Sequence, residues 1–558
     1  MSKKTQPYVI IVLILVAITF SGWLANSSTT MDPDLYVTLK KNMTLFKRIY
    51  EEISFRYVEE VDPEAFIRAG IEGMTSRLDP YTNFVEQEEN DNLRTVTEGK
   101  YGGVGMTISK RGRLTVVVEP PYEDDPAGKA NIHEGDVLIE VDGKNTEDRS
   151  LSEIAQLLRG KPGTSVRLKA KRSGEADILE FRLVRAMIVV HDVSYADIIK
   201  DDIGYIRLTR FSKYAADQLE EALKELKAKN MKGLILDLRN NPGGLLNSAV
   251  NVADLFLPKG ELVVYTKGRS ERSNMKYHSP NEPVLPDLPM VVLVNGFSAS
   301  ASEIVAGAIQ DLDRGLIIGS RTFGKGLVQT VVPFSRNTAL RLTTAKYYVP
   351  SGRLIQKLSR LNRDSHIFRN QDSELISDSS KTNRKEYRTK SGRIVYGGGG
   401  IKPDIEFDPE ILSSYERALI RQSMFFNFAI SYSGSFTKTP GISDQLLAEF
   451  RKYIEENEFT FDLEGEEEIK NLEKIIAENN FAGLEDQLIS IRESLNQIKN
   501  NQFEAHRDFI QKNLRKEIAA KLNGSRGQVE SNLQEDHIFQ TAFEVLTNPT
   551  EYSIKLGK

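Results

Sequence analysis

Three serines at alternate positions lie where a strongly apolar run gives way to a helical pattern. Ser298, Ser300 and Ser302 follow the run Met290–Asn295. The first N–H groups of a helix have no partner within the helix, so a hydroxyl there lies beside a site suited to an oxyanion. Serine is also a common helix cap. By themselves these residues leave a nucleophile and a cap as alternatives.

A lysine between two glycines lies one predicted strand further along the chain. Lys325 stands between Gly324 and Gly326, which allow close approach of the backbone. If the ammonium is buried beside a serine hydroxyl, desolvation lowers its pKa and yields a neutral amine that can accept the serine proton. The alternative is a lysine that extends from a glycine turn into solvent.

A third segment, residues 236–245, also follows an apolar run and precedes a helical pattern. Gly243 and Gly244 can present backbone amides to a developing oxyanion without a side chain in the way. An ordinary turn explains the same glycines equally well.

The elements that must position these segments alternate between strand and helix, which favours an α/β core. The predicted strands are 203–208, 233–237, 290–295 and 315–318, and the predicted helices are 216–229, 246–256 and 300–311.

The regions on either side of this core have different patterns. Residues 32–98 have helical spacing, and the segment after them combines a glycine-rich turn, short strands and one helix at 151–158. The polar stretch 357–390 predicts a surface insertion. From Glu410 onward the spacing is again helical, and its extended apolar face makes a contact between subunits of a homo-oligomer a hypothesis.

Composition excludes several classes of function. A chain of 558 residues predicts several domains, and a net charge of -5 disfavours a nucleic-acid partner. The absence of cysteine excludes disulfides, zinc–thiolate sites and a cysteine nucleophile. His, Asp and Glu form no cluster with ligand spacing, so we expect neither a metal nor another cofactor.

The N-terminus carries a targeting signal. Lys3 and Lys4 precede an apolar run from Tyr8 to Ala25, which is about 18 residues long. That length lies between a long signal-peptide core and a short membrane-spanning helix, and we favour an uncleaved anchor. The rest of the chain is then expected on the far side of the membrane, in the periplasm or cell envelope, anchored to the inner membrane.

Together the three segments resemble those of the carboxy-terminal processing, or tail-specific, protease family, whose members combine a PDZ domain with a Ser/Lys peptidase core. The resemblance covers roughly Asp32 to Asp408. It implies that Ser300, 25 positions before Lys325, is the nucleophile and that Lys325 is the general base. It also implies that Gln329 orients the lysine.

The resemblance further implies how a substrate is bound. The Ala301 amide and one amide from Gly243 or Gly244 would form the oxyanion hole. A PDZ loop would hold the C-terminal tail of a protein substrate by its carboxylate, as an added strand. The residues of that loop are Gly102, Gly103, Val104 and Gly105.

The expected fold is therefore multidomain α+β, with a β-rich PDZ-like domain, an α/β core of the crotonase/ClpP type, and helical regions at both ends. The predicted boundaries are 1–30 for the anchor, 31–97 for the N-terminal helical region, 98–186 for the PDZ domain, 187–408 for the peptidase core and 409–558 for the C-terminal helical region.

Three other functions compete with a Ser/Lys endopeptidase. A Ser-His-Asp hydrolase needs one of the six histidines, none of which lies in a recognisable motif. An acyl-CoA enzyme is compatible with a crotonase-like core but not with export. A non-catalytic PDZ scaffold would bind peptide tails without cleaving them.

Overall fold

In this computed structural model the described residues are 33–86, 95, 97–111, 113–172, 175, 177–335, 338–357, 385–432, 441–479 and 483–558. The chain divides into two compact units with the boundary between Thr75 and Ser76. The predicted anchor and most of the predicted insertion, residues 358–384, lie outside the described ranges. Within those ranges no helix has both the length and the apolar character needed to cross a membrane.

The first unit contains two helices, α1 (Pro33–Arg56) and α2 (Pro63–Thr75). Asp62 caps α2, since its Oδ1 accepts hydrogen bonds from Glu64 N and Ala65 N, and Tyr50 of α1 stacks on Phe66 of α2 with ring centres 5.8 Å apart. This unit matches the helical spacing of the sequence. The predicted helical region, however, extends to residue 97, whereas β1 (Asn83–Glu86) is a strand of the second unit.

The segment after residue 98 forms a small β-rich domain. Its sheet has β3 at one edge and a hydrophobic core that includes Val117, Leu138 and Ile154. The helix α4 begins at a capping box, in which Ser150 and Glu153 satisfy each other's backbone N–H groups. The elements are β2 (Lys100–Gly103), β3 (Ile108–Arg111), β4 (Leu114–Val117), α3 (Pro126–Lys129), β5 (Val137–Val141), β6 (Lys144–Asn145), α4 (Leu151–Leu158), β7 (Ser165–Lys171), β8 (Leu179–Val184) and β9 (Ala186–Val189).

A six-stranded sheet forms the centre of the α/β core, in the order β10-β11-β12-β15-β16-β21. All neighbours are parallel except the antiparallel pair β10 and β11. The elements are β10 (Val193–Lys200), β11 (Ile203–Leu208), α5 (Ala215–Ala228), β12 (Gly233–Asp237), α6 (Leu246–Asp254), β13 (Leu262–Gly268), a 3₁₀ turn (Glu271–Ser273), β14 (Lys276–His278), β15 (Met290–Val294), α7 (Ala301–Asp311), β16 (Leu316–Gly319), β17 (Leu327–Pro333), β18 (Thr338–Tyr348), β19 (Glu386–Arg388), β20 (Ile394–Tyr396) and β21 (Ile405–Glu406).

Helices cover both faces of this sheet, which explains why its central strands β12, β15 and β16 are apolar at nearly every position. Leu234 and Leu236 point to the face covered by α5, α6 and α7. Ile235 points to the other face, together with Val291 and Leu293. That second face is covered by helices from the far C-terminus.

The C-terminal region contains two parts with separate cores. One is a helical cluster that includes Phe425, Phe428, Phe450 and Leu514. The other consists of the last two helices and the end of the helix before them, which pack on the central sheet. The elements are α8 (Ser414–Arg421), α9 (Met424–Ser431), α10 (Asp444–Glu456), α11 (Glu466–Asn479), α12 (Glu485–Asn500), α13 (Gln502–Ala505), α14 (Arg507–Gln534), α15 (His537–Thr547) and α16 (Pro549–Leu556).

The predicted architecture, with helical ends around a β-rich domain and an α/β core, is confirmed. The sheet order also explains why distant segments of the sequence meet. The strands β12, β15 and β16 are parallel neighbours, so their carboxyl ends lie at one edge of the sheet. The loops 238–245, 295–300 and 320–326 follow those ends, and these loops contain the three segments identified from the sequence.

Candidate active site

Ser300 occupies a strained turn between β15 and α7. Its backbone has φ 56° and ψ -111°, outside the regions that residues with a side chain normally adopt. Such strain persists only where surrounding contacts hold it, and it is often found at functional sites.

The three serines have different environments. Ser298 is fully buried and donates its hydroxyl to Leu238 O at 2.8 Å. Ser302 is also fully buried and donates to Asn241 O at 2.9 Å. Both therefore fasten the loop 238–244 to the serine turn, whereas Ser300 lines an open cavity.

That cavity has a volume of about 600 Å³. It brings together five residues predicted from the sequence, which are Gly243, Gly244, Ser300, Lys325 and Gln329. No hydrogen bond joins the side chains of Ser300 and Lys325 in the described structure. Hydrogen bonds between catalytic groups are often long in ligand-free enzymes and shorten when substrate binds.

Lys325 lies in an environment that favours its neutral form. Burial lowers the pKa of its ammonium to about 8, and the positive charge of Arg341 acts in the same direction. Glu303 and Asp79 oppose this shift. The ammonium lies 4.9 Å from the centre of the Tyr81 ring and makes no hydrogen bond to any described residue.

The fully buried Glu303 connects the serine turn to the lysine loop. Its Oε2 accepts hydrogen bonds from the Ser300 and Lys325 N–H groups, each at 2.9 Å. Its Oε1 accepts from Thr322 Oγ1 at 2.6 Å and Gly324 N at 2.7 Å. Burial raises the pKa of Glu303 to about 7, although these four hydrogen bonds favour the carboxylate.

A second bridge between the two loops comes from strand β18. The hydroxyl of the buried Tyr347 is shared between Ser300 O, at 3.1 Å, and Lys325 O. Two independent buried side chains, Glu303 and Tyr347, thus set the relative position of Ser300 and Lys325.

The backbone amides near Ser300 differ in their availability. The Gly243 N–H donates to Asn241 Oδ1 at 2.9 Å. The N–H groups of Gly244 and Ala301 have no hydrogen-bond partner among the described residues. A Cβ on Gly243, where φ is 97°, would lie 2.9 Å from Ser300 Cβ and 2.5 Å from Ala299 O. Glycine at position 243 therefore lets its loop lie directly against the serine.

Gln329 lines the cavity without a hydrogen bond to the lysine. Its Nε2 donates to Thr343 Oγ1 at 3.4 Å, and that hydroxyl donates to Asp79 Oδ1 at 3.2 Å. The hydrogen bond to Lys325 that the resemblance implies is not formed here.

The predicted tail-binding residues are divided between a strand and a loop. Gly102 and Gly103 belong to β2, which pairs with β9. Val104 and Gly105 belong to the irregular segment between β2 and β3. Because β3 is an edge strand, its outer side can pair with an added peptide strand.

No histidine among the described residues lines the cavity that contains Ser300. His191, for example, stacks on Tyr122 with ring centres 3.7 Å apart. His366 lies outside the described ranges. A histidine that could act as a base toward Ser300 is therefore not found in the described part of the chain.

Sequence reasoning assigned no role to several residues around the site, including Glu303, Tyr347 and Arg341. A signal for Glu303 was present, because Ser300 and Glu303 have the spacing of a capping box. Tyr347 and Arg341 reach the site from β18, and no local pattern indicates such distant contacts.

Comparison with known proteins identifies three regions of the chain. Residues 202–367 match the profile of peptidase family S41, and residues 117–172 match that of the PDZ domain. Residues 415–546 match the profile described as "Probable PDZ-protease, C-terminal helical domain".

The carboxy-terminal-processing protease of Bartonella bacilliformis is 41% identical over 320 residues, which cover 57% of this chain and 73% of that protein. The chain belongs to the carboxy-terminal processing protease family. It is accordingly a serine-type peptidase.

Two further proteins are similar to this chain over a comparable share of its length. The carboxy-terminal processing protease CtpA of Bacillus subtilis is 31% identical, and the match covers 63% of this chain and 74% of that protein. A solved photosystem II D1 C-terminal processing protease is 29% identical, with a TM-score of 0.34, and the match covers 65% of this chain and 87% of that one.

Proposed function

We propose that this carboxy-terminal processing protease is an endopeptidase that cleaves exported proteins by acyl transfer, with Ser300 as nucleophile and Lys325 as general base. The observation that carries this proposal is the shared cavity of Ser300 and Lys325, in which burial lowers the pKa of the lysine to about 8. Lys325 Nζ takes the Ser300 proton while Oγ bonds to the peptide carbonyl carbon. The C–N bond then breaks, the leaving amine takes the proton from Lys325, and water hydrolyses the acyl-enzyme.

The amides of Ala301 and Gly244 stabilise the oxyanion in this mechanism. Both are free of other partners among the described residues, whereas the Gly243 amide already donates to Asn241. The unused N–H at the start of α7 also lies at the positive end of the helix dipole, which favours a developing negative charge. Gln329 orients the lysine only after substrate has rearranged its contact with Thr343.

Substrate selection belongs to the PDZ domain in this proposal. The tail of a protein substrate adds to the edge of β3, and the amides of the loop from Gly102 to Gly105 hold its carboxylate. The apolar run Tyr8–Ala25 anchors the chain in the inner membrane, so its substrates lie in the periplasm or envelope. We also retain the domain boundaries predicted from the sequence. The C-terminal helices form the contact between subunits of a homo-oligomer in this proposal.

The two-site function can be tested with the full chain in detergent and a loosely folded protein that ends in an apolar tail. A matched substrate carries a C-terminal amide in place of the carboxylate. We expect cleavage of both, with kcat/KM about tenfold higher for the free carboxylate because only this form uses the tail site. Tail binding without cleavage of either substrate would contradict the proposal and support a non-catalytic scaffold.

Arg341→Gln is expected to move the pH profile of kcat/KM to higher pH. Burial is the main cause of the low pKa of Lys325, and the charge of Arg341 adds to it. Removal of that charge raises the pKa of Lys325, so less neutral amine is present near pH 7.5. We expect kcat/KM there to fall by about threefold to tenfold, with the high-pH plateau unchanged.

Arg341→Lys is the control for this change. It retains a positive charge but loses the donation from Arg341 Nε to Asn83 Oδ1, at 2.9 Å. A wild-type profile for the lysine variant and a shifted profile for the glutamine variant identify charge as the cause. Identical profiles in all three proteins would show that Arg341 has no influence on the base.

A further inference from the structure

A side-chain carboxylate from the C-terminal region contacts the loop that contains Gly244, one of the two proposed oxyanion donors. Asp536 is 8% exposed and caps α15, because its Oδ1 accepts hydrogen bonds from Ile538 N at 3.0 Å and Phe539 N at 3.1 Å. The helix it caps packs on the central sheet. Its second oxygen, Oδ2, is used for a different contact.

That contact is with Arg239, the second residue of the loop 238–244. Arg239 Nη1 donates to Asp536 Oδ2 at 2.6 Å. The rest of the guanidinium binds the Asp237 carboxylate, with Nη2 to Oδ2 at 2.6 Å and Nε to Oδ1 at 3.0 Å. Tyr205 OH also donates to Asp237 Oδ2, at 2.6 Å. Arg239 is thus held between a carboxylate of the sheet and a carboxylate of the C-terminal region.

The two residues that follow Arg239 are fastened to the serine turn. Asn240 N donates to Asn295 Oδ1 at 3.0 Å, and Asn295 Nδ2 donates back to Asn240 Oδ1 at 2.9 Å. The Asn241 carbonyl accepts from Ser302 Oγ at 2.9 Å and from Ala299 N at 3.1 Å. Gly243 and Gly244 follow these anchors in the same loop, so a displacement of Arg239 that is passed on through Asn240 and Asn241 changes the position of the Gly244 amide, the proposed oxyanion donor.

Loss of the Asp536 carboxylate would leave the Arg239 guanidinium without one of its two charged partners. Without its carboxylate, a nearly buried guanidinium N–H loses a charge-assisted hydrogen bond, which is among the stronger contacts in proteins. The simplest way to recover a partner is for Arg239 to turn toward water, and its backbone is part of the loop. Such a shift of even a fraction of an ångström weakens stabilisation of an oxyanion.

We propose that Asp536 is a positioning residue of the peptidase, acting through Arg239 on the Gly243-Gly244 segment. The C-terminal helical region then has a role in catalysis, because the active site reaches its working geometry only when α15 is seated on the sheet. This inference rests on the proposed function, since it takes the Gly244 amide as an oxyanion donor.

The test uses the full chain and the variant Asp536→Asn, since asparagine still caps a helix but carries no charge for Arg239. Oxyanion contacts form in the transition state, so we expect kcat to fall by about tenfold to 100-fold with KM unchanged. Tyr552→Phe is the matched control. It removes the hydroxyl that bonds Met290 N and O, each at 3.1 Å, and so weakens the same helical layer far from the loop. Its kcat is expected to stay within twofold of wild type.

A double-mutant cycle separates positioning from general destabilisation. If Asp536 acts through Arg239, adding Asp536→Asn to Arg239→Gln produces no further loss of kcat. Losses that multiply in the double variant, or kcat within twofold of wild type for Asp536→Asn, would overturn the inference. Asp536→Ser, which also caps a helix, provides the same comparison if the asparagine variant does not fold.

Failure of the proposed function gives a different result in the same assay. Full activity in Ser300→Ala would contradict the assignment of Ser300 as the nucleophile. The coupling between positions 239 and 536 could then still be measured on that activity. Loss of activity in Ser300→Ala together with an unchanged kcat in Asp536→Asn would overturn the positioning role alone.

Discussion

Ser300→Ala is expected to lower kcat by at least about 10⁴-fold, because the variant has no nucleophile and only substrate binding and the oxyanion amides remain. The substitution removes a single oxygen that lines an open cavity, so the thermal stability of the protein should stay close to that of the wild type. The measurement is hydrolysis of a loosely folded protein under saturating conditions. Binding of an isolated tail peptide is expected to be unaffected.

Ser298→Ala and Ser302→Ala are matched comparisons from the same turn. Each removes a buried hydroxyl that bonds a carbonyl of the loop 238–244, so each is expected to lower stability and reduce kcat by only about tenfold. If Ser300→Ala were active and a variant at 298 or 302 were inactive, that other serine would be the nucleophile in place of Ser300.

Lys325→Met is expected to lower kcat by about 10³-fold or more. Methionine fills a similar space but cannot accept a proton, and general base catalysis contributes typically 10²-fold to 10⁴-fold. The free energy of unfolding should be unchanged or increased, because the variant no longer buries an amine near Arg341. Denaturant unfolding measured beside kcat distinguishes lost chemistry from lost structure.

The exposed Lys259 provides the control for a change of net charge. Lys259→Met alters the total charge equally and should retain kcat within twofold. If Lys325→Met kept substantial activity, and replacement of one histidine abolished it, a Ser-His-Asp mechanism would take the place of the proposed dyad.

Much of the core could be predicted because its physical signals are local. A parallel strand buried on both faces must be apolar at consecutive positions, and Met290–Val294 has this pattern. The carboxyl ends of neighbouring parallel strands meet at one sheet edge, which is why segments far apart in sequence converge on Ser300.

Other features depend on partners that the sequence does not reveal. The apolar positions of α15 predict an amphipathic helix but not that it covers the sheet face lined by Ile235. The strand Asn83–Glu86 is defined by its pairing with Thr338–Arg341, far along the chain. Helical periodicity likewise leaves open what contacts the exposed Leu472 and Ile491.

Some properties of the predicted site residues also follow from local sequence, and others depend on distant partners. Small residues before a helix indicated the serine turn, and the structure separates Ser300 from Ser298 and Ser302 through their hydrogen bonds. The difference between the Gly243 and Gly244 amides depends on Asn241, whose side-chain oxygen accepts a hydrogen bond from the Gly243 N–H. Such details depend on side-chain geometry, which sequence spacing does not specify.

The rate at which Ser300 is phosphonylated by a serine-directed phosphonate, measured against pH, tests the role of a neutral lysine most directly. Mass spectrometry of the labelled peptide reports the attack of the serine Oγ on phosphorus without a later hydrolysis step. We expect the rate to rise through a single pKa near 8 in the wild type and to be low at all pH values in Lys325→Met. A rate that rises with the same pKa in both proteins would contradict Lys325 as the base.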